Sequence, residues 1–376
     1  MVEQRNRFEF GTGHSHGFVP LEPIDLSKIN DADDLIKSMS KTAFGGRRLG
    51  EAADIFYKMI TDPDCYTVMT LSGAMTVAKM GLIVTDMIDQ NMIQAIVSTG
   101  ALITHGLVEN TGMTHFKYDW SRPDHELEKL GYDRVYDTLE LEKNLDDLEK
   151  ILDEGIFNKI SPDETLCSRV LCKKIGNYLL EESMGRGILQ SAAKNNVPVY
   201  IPAFTDCELG LDFALYNRKQ VLKGNKSIKF NPFLDLDHFS DLILKQKSLG
   251  IFTIGGGVPR NWAQQVGPYL DFIRFSIRDK EDKSKYHAEK GDPYNKAYKY
   301  AVRICPEPVE WGGLSGCTYT EGVTWGKFRD EKTEGGLFAE VLTDATYVWP
   351  LLIKAVQDRL KKEKITIKKS FKNENI

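Results

Sequence analysis

The chain is poor in paired cysteines. Its six, at positions 65, 167, 172, 207, 305 and 317, include no Cys-x-x-Cys, and the nearest two stand five residues apart. That excludes a disulfide framework and a zinc ribbon, and it fits scattered reduced thiols in a cytoplasmic protein. Long apolar runs are missing too. Nothing reaches about 18 consecutive apolar residues, and residues 1–10 are polar and charged, without the apolar core of a secretory signal. The sequence therefore predicts neither a membrane-spanning helix nor export. Charge of one sign is also scarce. A net charge of −5 gives no field that attracts nucleic acid, and the one basic run, 361–372, reads as a solvated C-terminal tail. The motif Gly-x-Gly-x-x-Gly is absent. His14 and His16 are closely spaced, but without a cysteine or carboxylate partner beside them they read as a flexible leader, and no metal is expected.

What is present is an ordinary globular balance, 41% hydrophobic and 27% charged over 376 residues. That is enough for one large α/β domain with additions. Residues 1–40, interrupted by Pro20 and Pro23, read as an N-terminal helical arm. A helix is predicted over 42–60, where Leu49, Ala52, Ala53, Phe56 and Ile60 recur at helical spacing. Six units of apolar strand, small or polar turn, and helix follow. Their strands are predicted over 66–71, 93–97, 197–203, 251–254, 298–304 and 338–342. Between the second and third, 118–144 is charged, and a helical segment of about 134–196 carries no predicted strand. A polar stretch over 269–297 reads as an exposed insertion. The units predict a doubly wound, mostly parallel, Rossmann-like sheet within a catalytic domain spanning 41–360.

In such a sheet, ligands bind beyond the carboxyl ends of the strands. The turns there hold Ser72, Thr99, Gly100, Asp206, Gly256 (within Gly255-Gly256-Gly257), Asp344 and Ala345. Backbone N–H groups at glycine-rich helix starts suit a pyrophosphate, and a carboxylate at a strand end suits ribose hydroxyls. The expected cofactor is thus a dinucleotide. A second feature is the run Glu321-Gly322-Val323-Thr324-Trp325-Gly326-Lys327. It brings together a carboxylate, an aromatic face and an amine. A lysine attacks carbonyl or imine carbon only when neutral, which burial beside an apolar wall such as Trp325 promotes. The same aromatic face and Glu321 can hold a cationic substrate.

Several segments taken together resemble the deoxyhypusine synthase family. They are Ser98-Thr99-Gly100-Ala101-Leu102-Ile103-Thr104-His105, Pro202-Ala203-Phe204-Thr205-Asp206, Gly255-Gly256-Gly257-Val258-Pro259-Arg260-Asn261, Gly312-Gly313-Leu314-Ser315-Gly316, the Glu321 to Lys327 run, and Asp344-Ala345-Thr346. Their wording is most similar to the bacterial and archaeal branch. The resemblance implies a homotetramer of two dimers with NAD and the active sites at the dimer interface. It implies NAD-dependent transfer of an aminobutyl group from a polyamine such as spermidine, through a lysine imine, to an acceptor amine. That acceptor is either a lysine on a hypusine-bearing translation factor or a small amine, as in homospermidine synthases. Lys327 matches the imine-forming lysine, Glu321 and Trp325 match residues flanking the amine channel, and Thr99, Asp206, Asp344 and Ala345 match positions around NAD. Departures from the eukaryotic pattern are Thr104-His105, Leu211, Trp311, Leu314 and Asn261, where acids or a histidine are expected. His105 is then a candidate base, and Glu208 and Asp212 are candidates to replace lost carboxylates. Retention of Lys327 argues against an NAD-binding protein without transferase activity.

Overall fold

The computed structural model describes residues 7–278 and 292–371. Six strands form its central sheet: β1 Cys65–Leu71, β2 Ala95–Ser98, β3 Val199–Tyr200, β4 Ser248–Ile254, β5 Tyr300–Ile304 and β6 Leu337–Val341. They match the six predicted units one for one. Their order is β6-β5-β4-β1-β2-β3, and every pairing is parallel. This is the doubly wound order, whose direction of winding reverses between β1 and β4.

Strand alternation fills both faces. Met69 and Leu71 of β1 join Phe252, Ile254, Val302 and Ile304 in one core, with Phe56 of the helix Phe44–Thr61 and Trp349 of the helix Ala345–Lys362. Tyr66 and Val68 point the other way, with Leu249, Ile251 and Ala301, toward Ala263 of the helix Gly257–Gln264 and Leu270 of the helix Val266–Ile273. All seven residues of β1 and all seven of β4 are buried, as parallel strands covered on both faces must be. Registers then align the strand ends. Leu71 pairs with Ser98 and Ile254, Ile254 with Ile304, and Ile304 with Val341. Five strands therefore finish level with one another, and the turns that follow them start from one plane.

The segment read as helical without strands differs from that expectation. Within it, Thr138–Leu141 and the end of Tyr132–Val135 form an antiparallel sheet with Phe116–Lys117, which precedes the segment, and Thr165–Leu166 pairs in parallel with Lys229–Phe230 beyond it. These strands are two to four residues long, too short for period-two alternation to register. Of the expected insertion over 269–297, residues 279–291 lie outside the described residues. Its beginning is regular: the helix Val266–Ile273 runs into it. No helix among the described residues is long and apolar enough to cross a membrane.

The two chain ends are docked. Asp33, in the helix Ala32–Ser40, is fully buried and accepts from Arg359 Nε at 2.8 Å and Lys37 Nζ at 2.8 Å. Arg359 also donates to Asp54 at 2.8 Å. The basic run is not simply a solvated tail. Lys362 pairs with Asp31 and Asp34 at 2.8 and 2.6 Å, and Ile367 is buried. Lys369 Nζ donates to Ile60 O and Asp62 O at 3.0 and 3.2 Å, because the carboxyl end of the helix Phe44–Thr61 leaves carbonyls without partners. Burial raises the Asp33 carboxyl, but hydrogen bonds from Lys37 and Arg359 outweigh it and hold the group below its ordinary 3.8. Its depressed pKa adds stability above pH 3.8 that is lost as pH falls through the lower folded value. Replacing Asp33 with Ala leaves the buried Arg359 guanidinium with Asp54 as its carboxylate partner, and chemical denaturation at neutral pH should show a loss of about 1.5–3 kcal/mol.

Candidate active site

The level strand ends build a crevice at the reversal point. Gly255 and Gly257 take φ of 76° and 61°, left-handed values that favour glycine, and they turn the chain from β4 into the helix Gly257–Gln264. Gly256 has a different reason to be glycine: a Cβ there would stand 2.5 Å from Ser315 Cα. Ser72, after β1, straps the two turns together. Its Oγ accepts from Gly256 N at 3.1 Å and donates to Gly256 O. Thr99, after β2, donates to Gly73 O at 2.8 Å, and Gly100 lets Cys207 pack directly against the start of the helix Gly100–Asn110. The turns after β1, β2, β3 and β4 thus touch in series.

Three helices start at these turns: Gly100–Asn110, Glu208–Leu222 and Gly257–Gln264. None has a side-chain cap. In the helix Glu208–Leu222 Leu209 N already donates to Thr104 Oγ1 at 3.3 Å, whereas the helices Gly100–Asn110 and Gly257–Gln264 start without a side-chain cap, and the dipoles at these two ends favour an anion. Gly73, at φ 72°, has open space where a side chain would stand except for Met75 Cε at 3.7 Å. Uncapped helix starts around an open glycine turn fit a pyrophosphate.

The carboxylates are arranged less simply. Asp206 follows β3 at one edge of the sheet, and Asp344 follows β6 at the other. Five strand spacings of about 4.8 Å separate them by roughly 24 Å, so the two cannot serve one ribose. Asp206 is exposed beside the crevice. Asp344 caps the helix Ala345–Lys362, accepting from Thr346 N at 2.7 Å and Thr346 Oγ1 at 2.8 Å, and Ala345 packs in the core.

Lys327 lies on the same side of the sheet as the helix Gly257–Gln264. Its Nζ donates to Asn261 Oδ1 at 3.3 Å, one turn below the crevice. Burial lowers the Lys327 pKa from 10.5; the Arg260 guanidinium adds to that effect, while Cys317 and Glu321 oppose it. Trp325 is itself 65% exposed, with its ring centroid 5.8 Å from Nζ, so it flanks the amine rather than enclosing it. A second segment folds over the helix. Arg260, 2% exposed, donates to Leu314 O, Ser315 O and Cys317 O at 3.3, 3.4 and 2.7 Å and lies over the Tyr319 ring at 5.0 Å. Arg303 of β5 donates to Cys317 O at 2.8 Å and pairs with Glu340 of β6 at 3.2 Å. Sequence reasoning missed both arginines and Cys317. Only the GGGVPRN wording pointed toward Arg260.

His105 is not in this group. It projects from the helix Gly100–Asn110 toward His115 and Glu140, which come from the small antiparallel sheet and the loop before it. Burial raises the Glu140 carboxyl, but the adjoining His105 and His115 imidazoles and the Asn144 amide overcome this and hold it far below its ordinary range. Leu211 and Asp212 are neighbours in sequence that face different ways, since successive helix residues are about 100° apart. Leu211 is 62% exposed, while Asp212 is part-buried. Burial and the nearby Glu149, Asp153 and Glu208 carboxylates push the Asp212 pKa up to about 7. Asp212 therefore stands on a different side of its helix from Leu211.

Comparison with known proteins agrees with this construction. The profile of the family described as Deoxyhypusine synthase matches residues 34–356. A Methanosarcina mazei protein named "Probable deoxyhypusine synthase 1" is 31% identical over 357 residues, covering 94% of this chain and 99% of the relative. A "Deoxyhypusine synthase-like protein" of Chlorobaculum parvum is 31% identical over 338 residues, covering 89% of this chain and 88% of the relative. The solved structure described as a "putative deoxyhypusine synthase from Entamoeba histolytica" has the same fold, with a TM-score of 0.57 at 16% identity over 94% of this chain and 100% of that one. With its Lys327 segment beside a reversal-point crevice and a family profile spanning most of its length, this chain belongs to the deoxyhypusine synthase family, whose members are aminobutyl-transferring enzymes.

Proposed function

We propose that this chain is an NAD-dependent transferase that moves an aminobutyl group from a polyamine such as spermidine to an acceptor amine through an imine on Lys327. The observation that carries this reading is the half-buried Lys327 amine with its lowered pKa, held by Asn261 on the helix that begins at the crevice. The crevice fits NAD: uncapped N–H groups of the helices Gly100–Asn110 and Gly257–Gln264 for the pyrophosphate, and Asp206 for a ribose. When bound, NAD supplies a hydride acceptor for the carbon next to the donor nitrogen and returns that hydride to the product.

The protein's own residues do the rest. Asn261 orients the Lys327 Nζ, whose lone pair adds to the imine carbon of the oxidised donor; the diamine portion leaves with a proton, and the aminobutyl carbon remains on Nζ as an imine. The acceptor amine then adds to that carbon and Lys327 departs as the free amine. Glu321 and the faces of Trp325 and Trp311 can hold the cationic donor where the resemblance expects more carboxylates. Trp311, Leu314 and Trp325 are 75%, 47% and 65% exposed, which leaves apolar area beside the site for a neighbouring subunit to cover. That area suits a subunit contact beside the site, in keeping with the homotetramer of two dimers, in the cytoplasm, that belongs to this reading.

Borohydride reduction with NAD and spermidine, followed by peptide mass mapping, tests the reading. A mass increment on Lys327 that needs both compounds is expected. An unlabelled Lys327 in protein that still binds NAD refutes the imine route. Lys327→Ala should abolish transfer while leaving the first NAD reduction measurable. The trapping rate should rise with pH to a midpoint below 10.5, because only the neutral amine reacts. Asn261→Asp places a negative charge beside Nζ and should move that midpoint upward by about one unit or more; an unchanged profile would show that the Asn261 contact does not govern the amine.

A further inference from the structure

We propose that His105, His115 and Glu140 bind one divalent first-row cation, with zinc the best chemical match, and that the cation ties the helix Gly100–Asn110 to the small antiparallel sheet. All three residues are buried, and their ligand atoms lie within 4.8 Å of one another. Two imidazole nitrogens and one carboxylate oxygen make the borderline donor set that zinc favours over magnesium or calcium. The three come from a helix, the loop before the strand Phe116–Lys117, and the strand Thr138–Leu141, so one ion would crosslink separate elements.

The local geometry is poorly explained by hydrogen bonding alone. Glu140 Oε2 is approached by His105 Nδ1 at 3.1 Å and by His115 Nε2 at 2.6 Å. Despite its short distance, His115 Nε2 makes no properly directed hydrogen bond, although the side chain is fully buried. A buried nitrogen without a directed hydrogen bond needs another partner, and a cation reached by both imidazoles and the carboxylate would supply one. Groups around the trio hold it in ligand orientation. Glu140 Oε1 accepts from Asn144 Nδ2 at 2.8 Å and Leu141 N at 3.1 Å, which leaves Oε2 directed at the two imidazoles. On the other side of the His115 ring, Nδ1 lies 3.5 Å from Glu109 Oε1 and 3.0 Å from Lys79 Nζ. If Nδ1 carries the proton toward Glu109, Nε2 presents a lone pair, the state a metal-bound imidazole requires. Lys79 is a donor only and meets Nδ1 at 3.0 Å, so a cation binds at Nε2 by displacing its proton as Lys79 turns to Glu109, with which it also pairs. A cation titration reads whether that exchange occurs.

That titration uses the untagged full-length chain carrying His14→Ala and His16→Ala, which removes the leader imidazoles. After chelator treatment it is titrated with Zn²⁺ and separately with Co²⁺. The expected result is one cation per chain, visible ligand-field absorption with Co²⁺, and a higher thermal midpoint with Zn²⁺. Asn144→Ala should weaken Zn²⁺ binding by about 10–100-fold, and His115→Gln or Glu140→Gln should weaken it further. The proposal is overturned if the folded parent chain takes up no stoichiometric cation, or if His105→Gln and His115→Gln bind it as tightly as the parent. Should the ligand variants fail to fold, uptake and Co²⁺ absorption by the parent still decide the matter, since cysteine ligation would show an intense thiolate-to-metal band that this donor set lacks.

Discussion

Two buried guanidinium groups organise the Lys327 side of this molecule. Arg260 and Arg303 are 2% and 4% exposed, and a buried charge is tolerated only when its donors are satisfied. Sheet carbonyls are already committed to neighbouring strands. The available acceptors are the carbonyls of Leu314, Ser315, Gly316 and Cys317, so that segment must fold down over the helix Gly257–Gln264. Ser315 then comes so close to Gly256 that only glycine fits there. Everything following the segment inherits its position: Tyr319 under Arg260, Glu321 in the next short helix, and Lys327 returning to Asn261. One electrostatic requirement therefore joins the glycine-rich start of a helix to the amine one turn below it.

The sequence made the sheet legible because each central strand is an apolar run stopped by a small or polar turn. Strand order was beyond such reasoning: pairing β1 with β4 depends on contacts between residues about 183 apart, as with Thr70 and Thr253. The smallest strands escaped notice because two or four residues carry no usable period. The Lys327 stretch was legible as chemistry, though Trp325 does not form its wall. Trp325 is an exposed flank, and the segment folded over the helix is held by arginines whose local sequence looks unremarkable. Asp344 shows the opposite limit. A lone carboxylate after a strand is more often a helix cap than a ribose ligand, and the 2.7 Å bond to Thr346 N identifies the cap at Asp344.

His105 illustrates how a position can be read correctly as special and still be given the wrong surroundings. It was paired with the active site because of where it falls in a motif. The helix carries it instead to the side facing Glu140 and His115, residues with no recognisable spacing to it. The same helix begins at Gly100 in the crevice. A buried polar cluster and the strand-end crevice thus share one rigid element, with about 1.5 Å of rise per residue between them.

The pairing of β1 with β4 also bears on how the chain reaches its native state. Residues 65–71 must find residues 248–254 after everything between them has been made, and closing so long a loop carries an entropic cost that later contacts must repay. The strap from Ser72 to Gly256 spans this junction. The crevice is therefore complete only when both halves of the sheet have joined. A ligand lying across it stabilises the whole fold rather than a local loop, and its binding reports completed assembly of the sheet.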